Sequence, residues 1–494
     1  MKYTWILLSA LLMGFSQHSI EYGWLAWFSL FPFIKFLDSS EYSFKDGIYM
    51  SLIWGFTYHI TVIFWMFFNL GMPTKTLSFI SLLASVIILM INTVLIVILY
   101  SIIKKNKFDK IYFFLPAIWV SIEYVRTFSI LGFPWISLAN SQTNYILLAQ
   151  NVEFTGIYGI SFWIVLINVL IYDYYKTNKK SVNNKALYTL LIALVIPFIS
   201  GYYLYHRQQP TNGNSINTVI VQPNISLEEK RNTQIINEII STIPENSITD
   251  TTDLVLFPET AITYYSIKHP VFRNFISDKF SNQRTSLLSG MLYRDNENRL
   301  YNSAIHINSS NIDSYDIEDI YYKIKLVPLA EYNPFINLDI KSIDIPLGSF
   351  NPGDIYRVFN INNYQIAAMI CYESTFPQLN RKFVNNGAEI LIYFVNDGWY
   401  EDLYEPEQHA RQSIYRAIEF RRPVIRCANT GISQVIDKKG NITQRLELNS
   451  QGVILANIIP SSQITFYAKY GDIFSIINML LIFILLGMIL KRKK

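Results

Sequence analysis

The chain has 494 residues, of which 51% are hydrophobic, 15% aromatic and only 16% charged. A soluble domain usually carries about 25% charged residues, and the mean hydropathy of +0.22 excludes an ordinary soluble enzyme of this length. The same balance excludes intrinsic disorder, two cysteines exclude a disulfide scaffold, and a net charge of +4 gives no case for a nucleic-acid partner.

From the N-terminus to about residue 205 the sequence is a series of long apolar runs with short polar breaks. A bilayer core of roughly 30 Å needs about 20 helical residues. Candidate spans are 4–16, 22–37, 47–70, 77–103, 111–128, 155–175 and 186–204, the first two short enough to read as a helical hairpin. Lys2 and the first run have the outline of a signal peptide, but no small-x-small cleavage site follows. An eighth span, 473–490, begins after Gly471-Asp472 and stops at Lys491-Arg492-Lys493-Lys494. The expected organisation is a transmembrane bundle of about seven helices over 1–207, a catalytic domain over 208–470, and a final transmembrane helix with a basic tail over 471–494.

Orientation follows from the basic loops. Lys104, Lys105, Lys107 and Lys110 lie between spans four and five, and Lys176, Lys179, Lys180 and Lys185 between spans six and seven. The loops of opposite parity are poor in Lys and Arg: 71–76 holds only Lys75 and 129–154 holds none. This parity puts both termini in the cytoplasm and residues 208–470 outside.

That segment reads as alternating strands and helices. Strand-like runs are Thr218–Gln222, Asp253–Phe257, Ser286–Met291, Ala304–Asn308, Gln365–Ile370, Ile390–Val395, Val424–Ala428 and Gln434–Asp437. Helix-like stretches are Leu227–Thr242, Phe376–Asn386 and Pro406–Phe420. Val/Ile/Leu-rich strands bounded by turn residues predict two buried sheets with helices outside.

Three strand ends carry reactive groups. In Leu254-Val255-Leu256-Phe257-Pro258-Glu259 an apolar strand runs into a proline and a carboxylate. By itself this also describes an exposed loop glutamate. In Tyr322-Lys323-Ile324-Lys325 two lysines alternate with apolar residues and so share one strand face, with Glu331 eight positions after Lys323. By itself this also describes a charged edge strand. In Ala367-Ala368-Met369-Ile370-Cys371-Tyr372-Glu373-Ser374 a buried strand ends in a cysteine, with a helix expected near Ser374-Thr375. Helix N-terminal amides lower a thiol pKa, whereas a structural cysteine is inert. Cys427, inside an apolar run, fits the structural description, and a disulfide between the two cysteines stays open.

The order Glu259, Lys323, Cys371 resembles the Glu-Lys-Cys triad of the nitrilase (carbon–nitrogen hydrolase) superfamily. Val395-Asn396-Asp397-Gly398-Trp399, Gln408-His409, Arg416-Ala417-Ile418-Glu419 and Asn429-Thr430-Gly431 match as well. The resemblance implies a four-layered α-β-β-α sandwich over 215–460. Trp119-Val120-Ser121-Ile122-Glu123-Tyr124-Val125-Arg126, Gly132-Phe133-Pro134-Trp135 and Gly156-Ile157-Tyr158-Gly159-Ile160-Ser161 extend it to the apolipoprotein N-acyltransferase family. Ala330 stands where that family commonly has Gly, and no tryptophan follows Gln222-Pro223-Asn224-Ile225.

The resemblance implies a bacterial inner-membrane enzyme with about eight spans and a periplasmic catalytic domain. Cys371 would take the sn-1 acyl chain of a phospholipid as a thioester. It would pass that chain to the α-amino group of the N-terminal diacylglyceryl-cysteine of an apolipoprotein. Glu259 is the expected base and Lys323 the oxyanion partner, with Glu331, Glu373, Tyr372 and Trp399 in support. Neither cofactor nor metal is called for. The same triad with water as acceptor would be a membrane-tethered amidase, and an outer domain that only binds would make a transporter or receptor. The Phe133-Pro134-Trp135 loop is a candidate floor or lid, or an interfacial aromatic belt.

Overall fold

The computed structural model describes residues 2–39, 43–106, 109–128, 132–178, 184–207, 215–226, 235–263, 269–280, 284–308, 319–328, 330–332, 350–400 and 404–491. Lys107, Lys179, Lys180, the last three basic residues and the first half of the expected helix 227–242 lie outside the described residues. By its internal contacts the chain divides into two compact units, residues 1–207 with 470–494, and residues 208–469.

Among the described residues of the first unit five helices are long and apolar enough to cross a membrane: Phe44–Phe68, Lys75–Lys104, Ile157–Asn178, Asn184–His206 and Ile473–Lys491. Three expected spans are shorter than a bilayer core. The first is the 14-residue helix Lys2–Phe15. The second breaks into a 3-10 turn Ile20–Leu25 and the helices Ala26–Ser29 and Phe31–Asp38. There the Asn168 amide, which accepts from Leu30 N at 2.8 Å and donates to Ala26 O at 2.8 Å, stands in for missing helical bonds. The fifth keeps only the 12-residue helix Leu115–Arg126 behind a 3-10 turn, about 18 Å at 1.5 Å per residue.

The Phe133-Pro134-Trp135 loop is not a belt of exposed aromatics. Pro134, Trp135 and Ile136 are buried, and Trp135 lies 5.6 Å from Trp65 and 6.1 Å from Phe133 by ring centroids. Non-helical backbone in apolar surroundings needs partners for its polar groups. Tyr58 Oη donates to Ile136 O at 3.0 Å and Gln17 Nε2 to Ser137 O at 3.2 Å. Glu123 accepts from Leu138 N at 3.0 Å and Ser161 Oγ from Ala139 N at 3.1 Å.

Among the described residues the second unit holds twelve strands in two six-stranded sheets. The first sheet contains β1 (Ile216–Gln222), β2 (Leu254–Thr263), β3 (Ser286–Arg294), β4 (Leu300–Ile307), β5 (Ile320–Tyr322) and, on its outer edge beside β1, β12 (Gly452–Ile458). The second contains β6 (Phe359–Ile361), β7 (Tyr364–Ile370), β8 (Ile390–Val395), β9 (Val424–Ala428), β10 (Ser433–Ile436) and β11 (Ile442–Leu446) in that order. In each sheet three parallel strands, β1-β2-β3 and β7-β8-β9, are flanked by antiparallel ones. The parallel strands are buried on both faces and read as near-continuous apolar runs, as such strands do.

The sheets face each other across Cys427, whose Sγ is 3.6 Å from both Val221 O and Leu256 O. On the first sheet, Phe272, Phe275 and Ile276 of the helix Pro270–Lys279 join Val219, Phe257 and Ile305 in one core. Helices Pro377–Asn385 and Tyr404–Phe420 accompany the second sheet. β6, β11, β12 and the helix Pro270–Lys279 lie outside the runs expected from the sequence, and β5 ends at Tyr322 rather than carrying both lysines.

Candidate functional site

Each reactive group sits where its strand is interrupted. The register of β2 against β3 shifts between Phe257 and Ile262, and Thr260 has φ +53°. This bulge re-aims Glu259, so the strand does not end at Phe257 but continues past the carboxylate. Gly290 on β3 makes room for it. A Cβ there would stand 2.5 Å from Pro258 O and 2.6 Å from Glu259 Cα.

Lys323 follows β5 directly, its backbone pinned by Lys323 N to Asn302 O at 2.9 Å and Gly353 N to Lys323 O at 2.8 Å. The two lysines do not share a face. The strand ends at Tyr322 and the chain bends, so Lys323 is 1% exposed whereas Lys325 is exposed over the Phe376 ring. Lys323 Nζ lies 2.8 Å from Glu331 Oε1 and 3.6 Å from Glu259 Oε1. Burial works against this ammonium, but the Glu331 and Glu259 carboxylates outweigh it and hold its pKa above the usual lysine range. Glu331 Oε2 accepts from Val327 N at 2.7 Å, which fixes the carboxylate that fixes the lysine.

Asn302 was not singled out from the sequence. Its Nδ2 donates to Glu259 Oε1 at 2.8 Å and to Glu331 Oε1 at 3.1 Å, bridging the two carboxylates. An asparagine inside an apolar strand, Tyr301-Asn302-Ser303-Ala304, was the available signal.

Cys371 ends β7 with φ +52°, a left-handed conformation that a residue with a Cβ adopts at a cost of roughly 1–2 kcal/mol. A 3-10 turn Cys371–Thr375 begins at the cysteine itself and the α-helix only at Pro377. Helix amides therefore do not set the thiol pKa. Burial and then the Glu259 carboxylate push it up, and the Lys323 ammonium opposes them. Both cysteines are free, which closes the disulfide alternative, and Cys427 is fully buried.

Glu373 ties the Cys371 turn to the lysine segment. Its Oε1 accepts from Tyr321 Oη at 2.7 Å, Ile324 N at 2.7 Å and Lys325 N at 3.0 Å, and its Oε2 from Ile370 N at 2.8 Å. Tyr372 is buried, its ring edge-on to Phe376 at 4.9 Å. Trp399, by contrast, is 44% exposed on the turn after Asp397. The structure thus brings Glu259, Lys323, Glu331, Glu373 and Cys371 into one connected group. A half-buried thiol in the field of an ammonium and a carboxylate can attack a carbonyl, move a proton and hold an oxyanion.

The family described as Carbon-nitrogen hydrolase matches residues 218–466, and the Apolipoprotein N-acyltransferase N-terminal domain matches residues 9–170. The apolipoprotein N-acyltransferase of Shewanella oneidensis is 31% identical over 374 residues, covering 72% of this chain and 70% of its own. That of Geobacter metallireducens is 29% identical, over 73% of this chain and 70% of its own. That of Chlorobaculum tepidum is 27% identical over 94% of this chain and 92% of its own.

Proposed function

Because the chain belongs to the apolipoprotein N-acyltransferase family of the carbon–nitrogen hydrolase superfamily, we propose that Glu259, Lys323 and Cys371 carry out its lipoprotein N-acylation by a two-step transfer. The observation that carries this reading is the buried Lys323 ammonium held by Glu331 and Glu259 and acting electrostatically on the Cys371 thiol.

In the first step the Cys371 sulfur attacks the sn-1 ester carbonyl of a phospholipid while Glu259 takes the thiol proton. Lys323 Nζ, with a backbone amide near Tyr372, holds the oxyanion. The ester C–O bond breaks, Glu259 returns the proton to the leaving oxygen, and a lysophospholipid departs from the thioester. In the second step the α-amine of the diacylglyceryl-cysteine attacks the thioester. Glu259 accepts a proton from the nitrogen, the C–S bond breaks, and the thiol is restored as the amide leaves. Glu331 orients Lys323, and Glu373 and Tyr372 hold the nucleophile turn. Trp399, being exposed, is placed to touch a lipid substrate rather than the reacting atoms.

Both substrates are membrane-anchored, which gives a physical reason for joining a nitrilase-like domain to apolar helices. The five long helices, with Lys2–Phe15, the broken segment 20–38 and Leu115–Arg126, read as eight passages, and the two sheets with their helices as an α-β-β-α sandwich. On this reading the chain is a bundle over 1–207, a catalytic domain over 208–470 in the periplasm and a final helix over 471–494, in a bacterial inner membrane with both termini in the cytoplasm. The amidase and the transporter or receptor are not favoured by the relatives' identity.

Intact-protein mass spectrometry tests the reaction. Incubation with phospholipid should add one acyl chain to the wild-type protein and none to C371A, and a diacylglyceryl lipopeptide should then discharge it. An acyl gain that survives in C371A, or a thioester that water discharges as fast as the lipopeptide does, would overturn the reading.

A further inference from the structure

Beside the nucleophile turn lies a second buried network that the two-step transfer above does not use. His409, 1% exposed on the helix Tyr404–Phe420, places Nε2 at 3.0 Å from Ser374 Oγ and 3.2 Å from the Cys371 carbonyl oxygen. Ser374 Oγ in turn donates to Cys371 O at 2.8 Å. On its other side His409 Nδ1 is 2.9 Å from Asp397 Oδ1, and Asp397 Oδ2 is ion-paired to Arg426. Arg426 Nη2 and Glu405 Oε1 also face Nδ1, at 3.2 Å and 3.8 Å.

An ionised carboxylate only accepts hydrogen bonds. Burial opposes the Asp397 charge, but Arg426 and His409 outweigh it and hold its pKa below the usual carboxylate range. Nδ1 therefore carries the ring proton, and the bare Nε2 turned to the cysteine can only accept, so the Ser374 hydroxyl proton is shared between Nε2 and the Cys371 carbonyl oxygen. The Cys371 thiol, the imidazole and the Asp397 carboxylate lie within 4.8 Å of one another, which is also a metal-ligand spacing. Here, however, Nδ1 and Asp397 are committed to each other, and the Arg426 guanidinium stands where a cation would have to come.

We propose that His409 is a positioning residue for the nucleophile: clamped by Asp397 and Arg426, it holds the Ser374 hydroxyl beside the Cys371 carbonyl and so holds the left-handed turn that aims the thiol. The backbone at Cys371 is strained, and such a conformation persists only when its surroundings over-determine it. Ser374 and His409 add to the Glu373 bonds, tying the turn to the helix Tyr404–Phe420. The inference rests on Cys371 being the nucleophile.

Two substitutions separate bracing from simple packing. A glutamine at 409 keeps a polar end near the position of Nε2, whereas an asparagine reaches only the position of Nδ1 and Asp397. In full-length protein, two readouts are taken by mass spectrometry: single-turnover acylation of Cys371 by phospholipid, and alkylation of each cysteine by iodoacetamide. Cys427, buried between the sheets, reports the fold. H409N should lose on the order of a hundredfold in acylation rate, the scale of a 1 Å misplacement, while H409Q stays within about tenfold of wild type. The half-saturating phospholipid concentration should not move, Cys371 alkylation should change several-fold in H409N, and Cys427 should stay unreacted. Equal rates for the two variants, or a loss accompanied by Cys427 alkylation, overturn the proposal. If the wild type itself gains no acyl chain, the two-step transfer fails, and the alkylation of Cys371 still decides the role of His409.

Discussion

Burial disfavours the Lys323 ammonium, and what reverses the balance is one carboxylate at 2.8 Å and another at 3.6 Å. A lysine whose pKa is raised stays charged at neutral pH, and its pairing stabilises the fold up to the unfolded pKa of about 10.4, being lost only as pH rises through the folded value. The charge alone is not what the site selects. A guanidinium is a planar fork and an ammonium a compact point, and the pocket closes on the lysine to 1% exposure. K323R should therefore lose at least about a hundredfold in single-turnover acylation, the loss typical of removing one oxyanion donor. Glu331 acts through Lys323, so E331Q and K323A should be non-additive, as residues working as one unit are. A double variant whose loss equals the product of the two single losses would mean that Glu331 acts independently. Asn302 complicates the pair, since it donates to both carboxylates. Part of the E331Q effect should reach Glu259 through it.

At the scale of elements, the site depends on interruptions rather than on regular structure. The β2 bulge swings Glu259 out of the ladder, and Gly290 on β3 is the neighbour that permits it. In G290A the new methyl would meet Pro258 O at 2.5 Å and Glu259 Cα at 2.6 Å, both backbone atoms of the bulge. These cannot yield without moving the carboxylate, so acylation should fall on the order of a hundredfold with the helices of the other unit unaffected. Wild-type acylation in a folded G290A protein would show that the bulge tolerates displacement. Such details bear on what the sequence disclosed. Buried parallel strands were legible because apolar runs ending in Pro258 or Cys371 are local signals. The eight-residue spacing of Lys323 and Glu331 was legible too, and the structure joins them by a 2.8 Å bond. The pairing of β12 with β1, which matches Ile216 to Ile458, was not, because no local pattern records a partner more than two hundred residues away. Asn302 and His409 were passed over as reactive groups for the same reason: their roles come from the strands and helices they meet. The short second and fifth spans read as continuous helices because apolarity survives a 3-10 turn or a Pro, whereas helix geometry does not.

For the whole molecule the open question is direction across the membrane, and the first unit supplies an argument beyond counting lysines. Lys104 Nζ donates to Leu37 O at 2.6 Å and Ser39 O at 2.9 Å, Lys176 pairs with Asp38, and Lys110 pairs with Asp173. The ends of four separate apolar segments, near residues 38, 104, 110 and 175, are thereby gathered at one end of the bundle, and that end is the basic one. Helix Asn184–His206 starts after the Lys176 segment and runs away from it to Arg207, where the positive charge is cancelled by Glu153. The positive-inside rule counts Lys and Arg rather than net charge, so in the proposed topology the Lys104 end faces the cytoplasm and residue 208 emerges on the other side. Glu297, whose side chain is 72% exposed in the turn between β3 and β4, makes a probe for this. In a C371A/C427A background, E297C should react with a membrane-impermeant maleimide when the outer face of the inner membrane is open to it, and should be protected in inverted vesicles. A cysteine appended after Lys494 should show the reverse. Labelling of E297C from the cytoplasmic side would put the thioester chemistry on the wrong face for a lipoprotein acceptor, and the topology would have to be abandoned together with the periplasmic assignment.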